Sequence, residues 1–235
     1  MFTRISSITL AFLLFFVLLG SQGNQYIYTA SIVVLILAVF AINFKRLNFT
    51  WPHLLLPTIY LLGVASVFAV IADPNFRIVF LVAACLLFYV LEMKLGHESH
   101  FLQNMFLLSA FGLYLGLFAA QFYFNLKAWW FVPLVFLATY LLSVQGFAGF
   151  SLPAKRYFYL MHALVISEAA WGLIFWPTYF FVDSVVLFCI FYLLWLFSFS
   201  AFFGRLTRQK IYWQLTLVAI VLLLTLSTAA WRPLR

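Results

Sequence analysis

A chain of 235 residues that is 67% hydrophobic and only 8% charged, with a mean hydropathy of +1.13, does not have the composition of a water-soluble domain. Its net charge of +8 needs no nucleic acid, because most of the cations fall in short gaps between apolar stretches, where anionic lipid headgroups meet them. The two cysteines, Cys85 and Cys189, lie inside apolar stretches with no CxxC spacing, which leaves no disulfide framework.

A membrane-spanning helix takes about 20 mostly apolar residues, since the hydrocarbon core is roughly 30 Å thick and a helix rises about 1.5 Å per residue. Measured that way, the chain predicts nine spans, near Ile5–Gly20, Ile27–Phe44, Trp51–Ala72, Pro74–Leu95, Phe101–Phe124, Ala128–Phe147, Tyr157–Trp176, Val182–Phe203 and Ile211–Trp231. The expectation is an all-α, polytopic transmembrane bundle forming one integral membrane domain over residues 1–235, with no soluble domain. Continuous apolar runs, without the alternation of a barrel strand, favour helices.

Along the chain, Arg4, an apolar run and Gly20-Ser21-Gln22-Gly23 also fit a signal peptide, although an uncleaved first helix is the preferred reading. Asp73-Pro74 reads as an N-cap followed by a proline at the first helical position, and Trp176-Pro177 as a turn between adjacent spans. Lys45-Arg46-Leu47-Asn48, Lys155-Arg156 and the stretch from Arg205 to Lys210 are polar breaks. Nine alternating spans put Arg4, Lys45, Arg46, Lys94, Lys155, Arg156, Arg205, Arg208 and Lys210 on one side and Arg77, Lys127, Arg232 and Arg235 on the other. That asymmetry predicts an N-terminus in the cytoplasm and a C-terminus outside. Trp129, Trp130, Trp176 and Trp231 then fall near outer ends, and Trp51 and Trp213 near inner ends, as interfacial belts do.

Gly112 and Gly116 make a GxxxG inside an apolar helix, one turn after Ser109, and predict close helix packing within the bundle. No internal repeat stands out. Neither does a phosphate-binding glycine loop, a GxSG nucleophile or a pair of intramembrane aspartates.

Glu168 is the costly residue. It lies twelve positions into the seventh span, where a carboxylate costs on the order of 3 kcal/mol. Its small neighbours Ser167, Ala169, Ala170 and Gly172 predict that it faces the bundle, with Trp171 and Phe175 on the same face. It reads as a proton or substrate ligand, or as a carboxylic acid hydrogen-bonded to the next helix. Asp183, across the Pro177 turn, is placed to share a proton with Glu168, or else to sit as an acid in the first turn of its helix. His162 is a weaker binding candidate: six residues from Glu168, it points about 120° away, and a hydroxyl or carbonyl partner suffices for it. No second histidine at matching depth offers haem ligation, because His53 is near a helix end and His97 and His100 are in a loop. Glu92, His97, Glu98 and His100 resemble a metal cluster, but His97-Glu98-Ser99-His100 is one residue short of HExxH, so a solvated polar turn is the better reading. No metal and no cofactor is expected.

The stretch from Glu168 through Trp171 and Gly172 to Trp176-Pro177, with Lys155-Arg156 before its helix, resembles uncharacterised polytopic membrane proteins of candidate-phylum bacteria. The resemblance covers about one helix hairpin, and those proteins have no assigned activity. It implies a bacterial plasma membrane and a role for Glu168, Trp171 and Pro177 in that hairpin. Three functions fit. A structural or assembly bundle that binds a membrane-protein partner leads, supported by the sparse polar inventory. A carrier of a small apolar molecule, lipid or proton centred on Glu168 is second. An intramembrane lipid-acting enzyme using Glu168 or the Glu92/His97/His100 rim is third.

Overall fold

The computed structural model describes residues 2–21, 23–46, 51–95, 100–147, 155–202, 204 and 206–229. Among them are nine helices: α1 (Phe2–Gly20), α2 (Gln25–Arg46), α3 (Trp51–Val70), α4 (Pro74–Lys94), α5 (His100–Phe124), α6 (Ala128–Gly146), α7 (Lys155–Leu173), α8 (Phe180–Phe202) and α9 (Arg208–Ser227). Each corresponds to one apolar stretch of the sequence, with ends shifted by a few residues.

Six of these helices are long and apolar enough to cross a membrane: α2, α4, α5, α6, α8 and α9. The described apolar parts of α1 and α3 are shorter, Ile5–Gly20 and Leu54–Val70. In α7, Lys155, Arg156, His162 and Glu168 dilute the apolar residues. The protein is therefore a helical, membrane-embedded bundle.

Capping chemistry sets several helix ends. Asp73 accepts a hydrogen bond from the Phe76 amide at 2.8 Å, and Pro74 occupies the first helical position. Arg77 donates to the Ile71 carbonyl through Nε at 3.0 Å and lies over the Phe68 ring, pinning the end of α3 to the start of α4. Thr207 caps α9 by accepting from the Lys210 amide at 3.3 Å.

The chain divides into two compact units, Met1–Leu113 and Tyr114–Arg235. In the first, α1 packs on α2 and α4, and α3 packs on the same two helices, which closes a four-helix ring. Tyr60 carries much of that packing: its ring stacks on Phe88, and its hydroxyl donates to the Ala84 carbonyl at 2.8 Å. Tyr28 donates to the Ala65 carbonyl at 2.6 Å and ties α2 to α3. At one point α3 meets α5 backbone to backbone, where a Cβ on Gly112 would lie 3.1 Å from the Cα of Gly63. Gly112 thus does the internal packing its motif predicts, against a glycine that has no motif of its own.

In the second unit α6 packs on α7, α7 on α8 and α8 on α9, and the second half of α5 meets α8 through the Tyr114–Phe191 and Phe122–Phe180 ring contacts. The same half of α5 joins α6 through Tyr114, whose hydroxyl is 3.0 Å from that of Thr139, and through the Phe118–Phe131 ring contact. The last helix is attached lightly. Val218 is its one buried residue, and Gln214 accepts a hydrogen bond from Tyr192 of α8 at 2.7 Å.

Candidate functional site

In the second unit α7 turns a face made of Tyr159, His162, Ala163, Ile166, Ser167, Ala170 and Leu173 inward. These recur at helical spacing and supply the small and aromatic groups that fit between α6 and α8. Tyr159 meets Tyr140 edge to face, and Phe147 contacts both Tyr159 and His162.

His162 is satisfied within this packing. Its Nδ1 lies 2.7 Å from the Phe158 carbonyl, which can only accept, so Nδ1 carries a proton. Its Nε2 lies 3.2 Å from the Ser198 hydroxyl on α8. The arrangement matches the hydroxyl-and-carbonyl environment expected of a buried histidine, and it fixes the register of α7 against α8.

Glu168 does not face the bundle as the sequence suggests. It stands on the exposed side of α7, with Leu164, Val165, Trp171 and Gly172 around it, and among the described residues it has no hydrogen bond or ion pair. The physical reason is the 100° step of the helix. Ala163, Ser167 and Ala170 spend the small-residue face on the neighbouring helices, and Glu168 follows Ser167 round to the other side. Trp171 lies on the same side as Glu168, as the spacing predicts, but that side is exposed, and there it meets Phe175 edge to face.

Asp183 and Glu168 are not brought together. Counting from the His162–Ser198 contact along antiparallel helices puts Glu168 level with Tyr192, near the middle of α8. Asp183 is nine residues away from Tyr192, roughly 13 Å along the axis. The turn is longer than Trp176-Pro177 suggests, because α7 ends at Leu173 and the chain continues through helix-like turns before α8 begins at Phe180. Asp183 is buried in the first turn of α8, where the helix N-terminus favours an acid, and it accepts a hydrogen bond from Thr178 at 2.5 Å.

The sequence reading missed a polar contact in the first unit. Asn43 of α2 donates through Nδ2 to Glu92 Oε1 of α4 at 3.0 Å, with both side chains fully buried. Since α2 and α4 stand diagonally in the four-helix ring, this contact crosses its interior. Glu92 therefore belongs to the core of that unit and not to a solvated rim. The available signal is spacing: Leu81, Ala84 and Phe88 define the buried face of α4, and the same face continues to Leu91 and Glu92. His97 and Glu98 lie outside the described residues, as do the side chains of His53 and His100. Among the described residues no three metal-ligating side chains come together.

A groove of about 420 Å³ opens between the start of α8 and the end of α9, lined by Tyr179, Phe181, Val182, Leu224, Thr225 and Thr228. The two threonine hydroxyls donate to carbonyls of their own helix, which leaves the lining largely apolar.

No protein-family model, curated protein or solved structure matches the chain.

Proposed function

We propose that this protein is a nine-span bundle of a bacterial plasma membrane, with its N-terminus in the cytoplasm and its C-terminus outside, and that it holds another membrane protein in place. The role is structural or one of assembly, and the exposed side of α7 is the binding face. The observation that carries this reading is Glu168, a carboxyl with no hydrogen bond or ion pair among the described residues, on an otherwise apolar exposed face. Its neighbours α6 and α8, both long and apolar enough to cross a membrane, support reading α7 as a span despite its diluted composition. At the level of Tyr192 a carboxyl facing lipid costs on the order of 3 kcal/mol, and a partner helix supplying a hydrogen bond removes much of that cost. The hairpin resemblance supports a bacterial plasma membrane, and the cation asymmetry supports the orientation.

The test is site-specific photo-crosslinking in intact membranes, with a photoreactive residue in place of Leu164 on α7 and, as control, in place of Leu217 on α9. A discrete protein adduct is expected from position 164, weakened in the Glu168→Leu background and absent from position 217. Lipid adducts alone from both positions would overturn the reading.

A further inference from the structure

We infer that Arg208 and Lys210, at the start of α9, hold the phosphate of an anionic phospholipid, with Ser200 of α8 fixing the lysine in place. The inference is independent of the α7 face and uses residues of the second unit alone.

Lys210 is the better defined of the two cations. Its Nζ donates to the Ser200 hydroxyl at 2.8 Å, and Ser200 is buried, so the ammonium is pinned where α8 meets α9. An ammonium has three N–H donors, and Ser200 takes one of them. Arg208 is exposed and has no hydrogen bond or ion pair among the described residues. Neither cation has a carboxyl of its own unit within reach. From Tyr114 onward the sequence has Glu168 and Asp183 as its only acids. Asp183 is seventeen residues from Ser200 along α8, roughly 25 Å. Glu168 is level with Tyr192, eight residues from Ser200 and roughly 12 Å away in depth. The Phe158–Phe202 ring contact sets the start of α7 beside the end of α8, so Arg156 adds to the positive field at this end.

Depth and neighbours select a lipid. The helix α9 is long and apolar enough to cross a membrane, and these cations stand in its first turn, at the level where a leaflet presents its phosphates. Tyr212 and Trp213, the next residues but one, are 69% and 68% exposed, and such side chains favour the boundary between headgroups and hydrocarbon. Leu217, one turn beyond Trp213, continues the exposed surface with an aliphatic side chain. A phosphate and an acyl chain therefore both meet matching surface along α9, whereas a soluble anion would leave the aromatic and aliphatic part uncovered. Lys127 is a contrast: it also precedes a helix, but its ammonium lies over the Trp129 ring.

The full chain, stripped of lipid in mild detergent, is titrated with phosphatidylglycerol or phosphatidylethanolamine of the same acyl chains. Binding is read by native mass spectrometry, with helicity checked by circular dichroism for every variant. Phosphatidylglycerol is expected to bind at least about fivefold more tightly, the worth of one cation near a membrane surface. Arg208→Gln and Lys210→Gln each weaken it about fivefold and change phosphatidylethanolamine binding less than about twofold. Ser200→Ala alters no charge, yet weakens phosphatidylglycerol about two- to tenfold because the lysine is no longer held. Lys127→Gln, at the other end of the unit, changes it less than about twofold. Equal binding of the two lipids, or binding indifferent to both Arg208→Gln and Lys210→Gln, overturns the inference. A loss at Lys127→Gln as large as at Lys210→Gln also overturns it, since net charge alone would then be responsible. Displacement of the lipid by excess inorganic phosphate overturns the choice of a lipid and leaves a site for anions in general.

Discussion

Glu92 and Glu168 are both carboxyls on helices of apolar character, and their surroundings are opposite. Glu92 is fully buried and takes a hydrogen bond from Asn43, while Glu168 stands on an exposed face with no intrachain partner among the described residues. A buried polar group deprived of its partner costs about 1–3 kcal/mol, whereas replacing both partners with apolar groups of similar shape costs much less. Asn43→Leu is therefore expected to lower stability by about 1–3 kcal/mol, measured by thermal unfolding in mild detergent. The same substitution made on top of Glu92→Leu should cost less than half as much. Equal costs in the two backgrounds would mean that the two residues are not coupled. Both glutamates show what a linear reading misses. The 49-residue separation of Asn43 and Glu92 hides their contact until the diagonal packing of α2 and α4 is known. The small residues around Glu168 correctly mark a packing face, but one that turns away from it.

At the scale of the element, glycine separates packing from accessibility. Gly112 meets Gly63 so closely that an added methyl would press on backbone atoms at 3.1 and 3.2 Å, whereas the same methyl on Gly172 meets nothing. Gly112→Ala is expected to destabilise the first unit by about 1–3 kcal/mol through overpacking. Gly172→Ala should be neutral or slightly favourable, because alanine suits a helix interior better than glycine by up to about 1 kcal/mol. Thermal unfolding of the two variants side by side checks this, and equal losses would contradict the close crossing of α3 and α5. Gly112 was legible from its GxxxG spacing, and Gly63 was not, since a lone glycine in an apolar run carries no pattern. The existence and order of the helices were legible almost throughout, because segment length and Asp73-Pro74 punctuation are local properties. Rotation about each axis was not. Helices such as α3 and α6 are apolar on nearly every side, so periodicity gives little sign of which side faces a neighbour.

For the molecule as a whole, the proposed topology is the property most directly open to test. With nine spans and a cytoplasmic N-terminus, a reporter fused after Arg235 should be active only if it is of the kind that works outside the cytoplasm. A reporter in the connection after α8 should behave in the opposite way. Strong activity of a cytoplasm-only reporter at the C-terminus would remove the nine-span map, and α7, whose polar residues weaken its membrane signal, would be the first span to withdraw. The first unit closes a ring of four helices, and in the second α9 is attached along one side, to α8. That attachment has a consequence for how the sequence can drift. A residue inside the ring answers to several neighbours, but most of α9 answers only to hydrocarbon, which does not distinguish leucine from isoleucine, valine or phenylalanine. Exchanges among those four at Leu215, Leu217, Ile220 or Leu223 should pass unnoticed, while Lys210, Gln214 and Val218, through which α9 holds α8, remain points where its sequence is constrained.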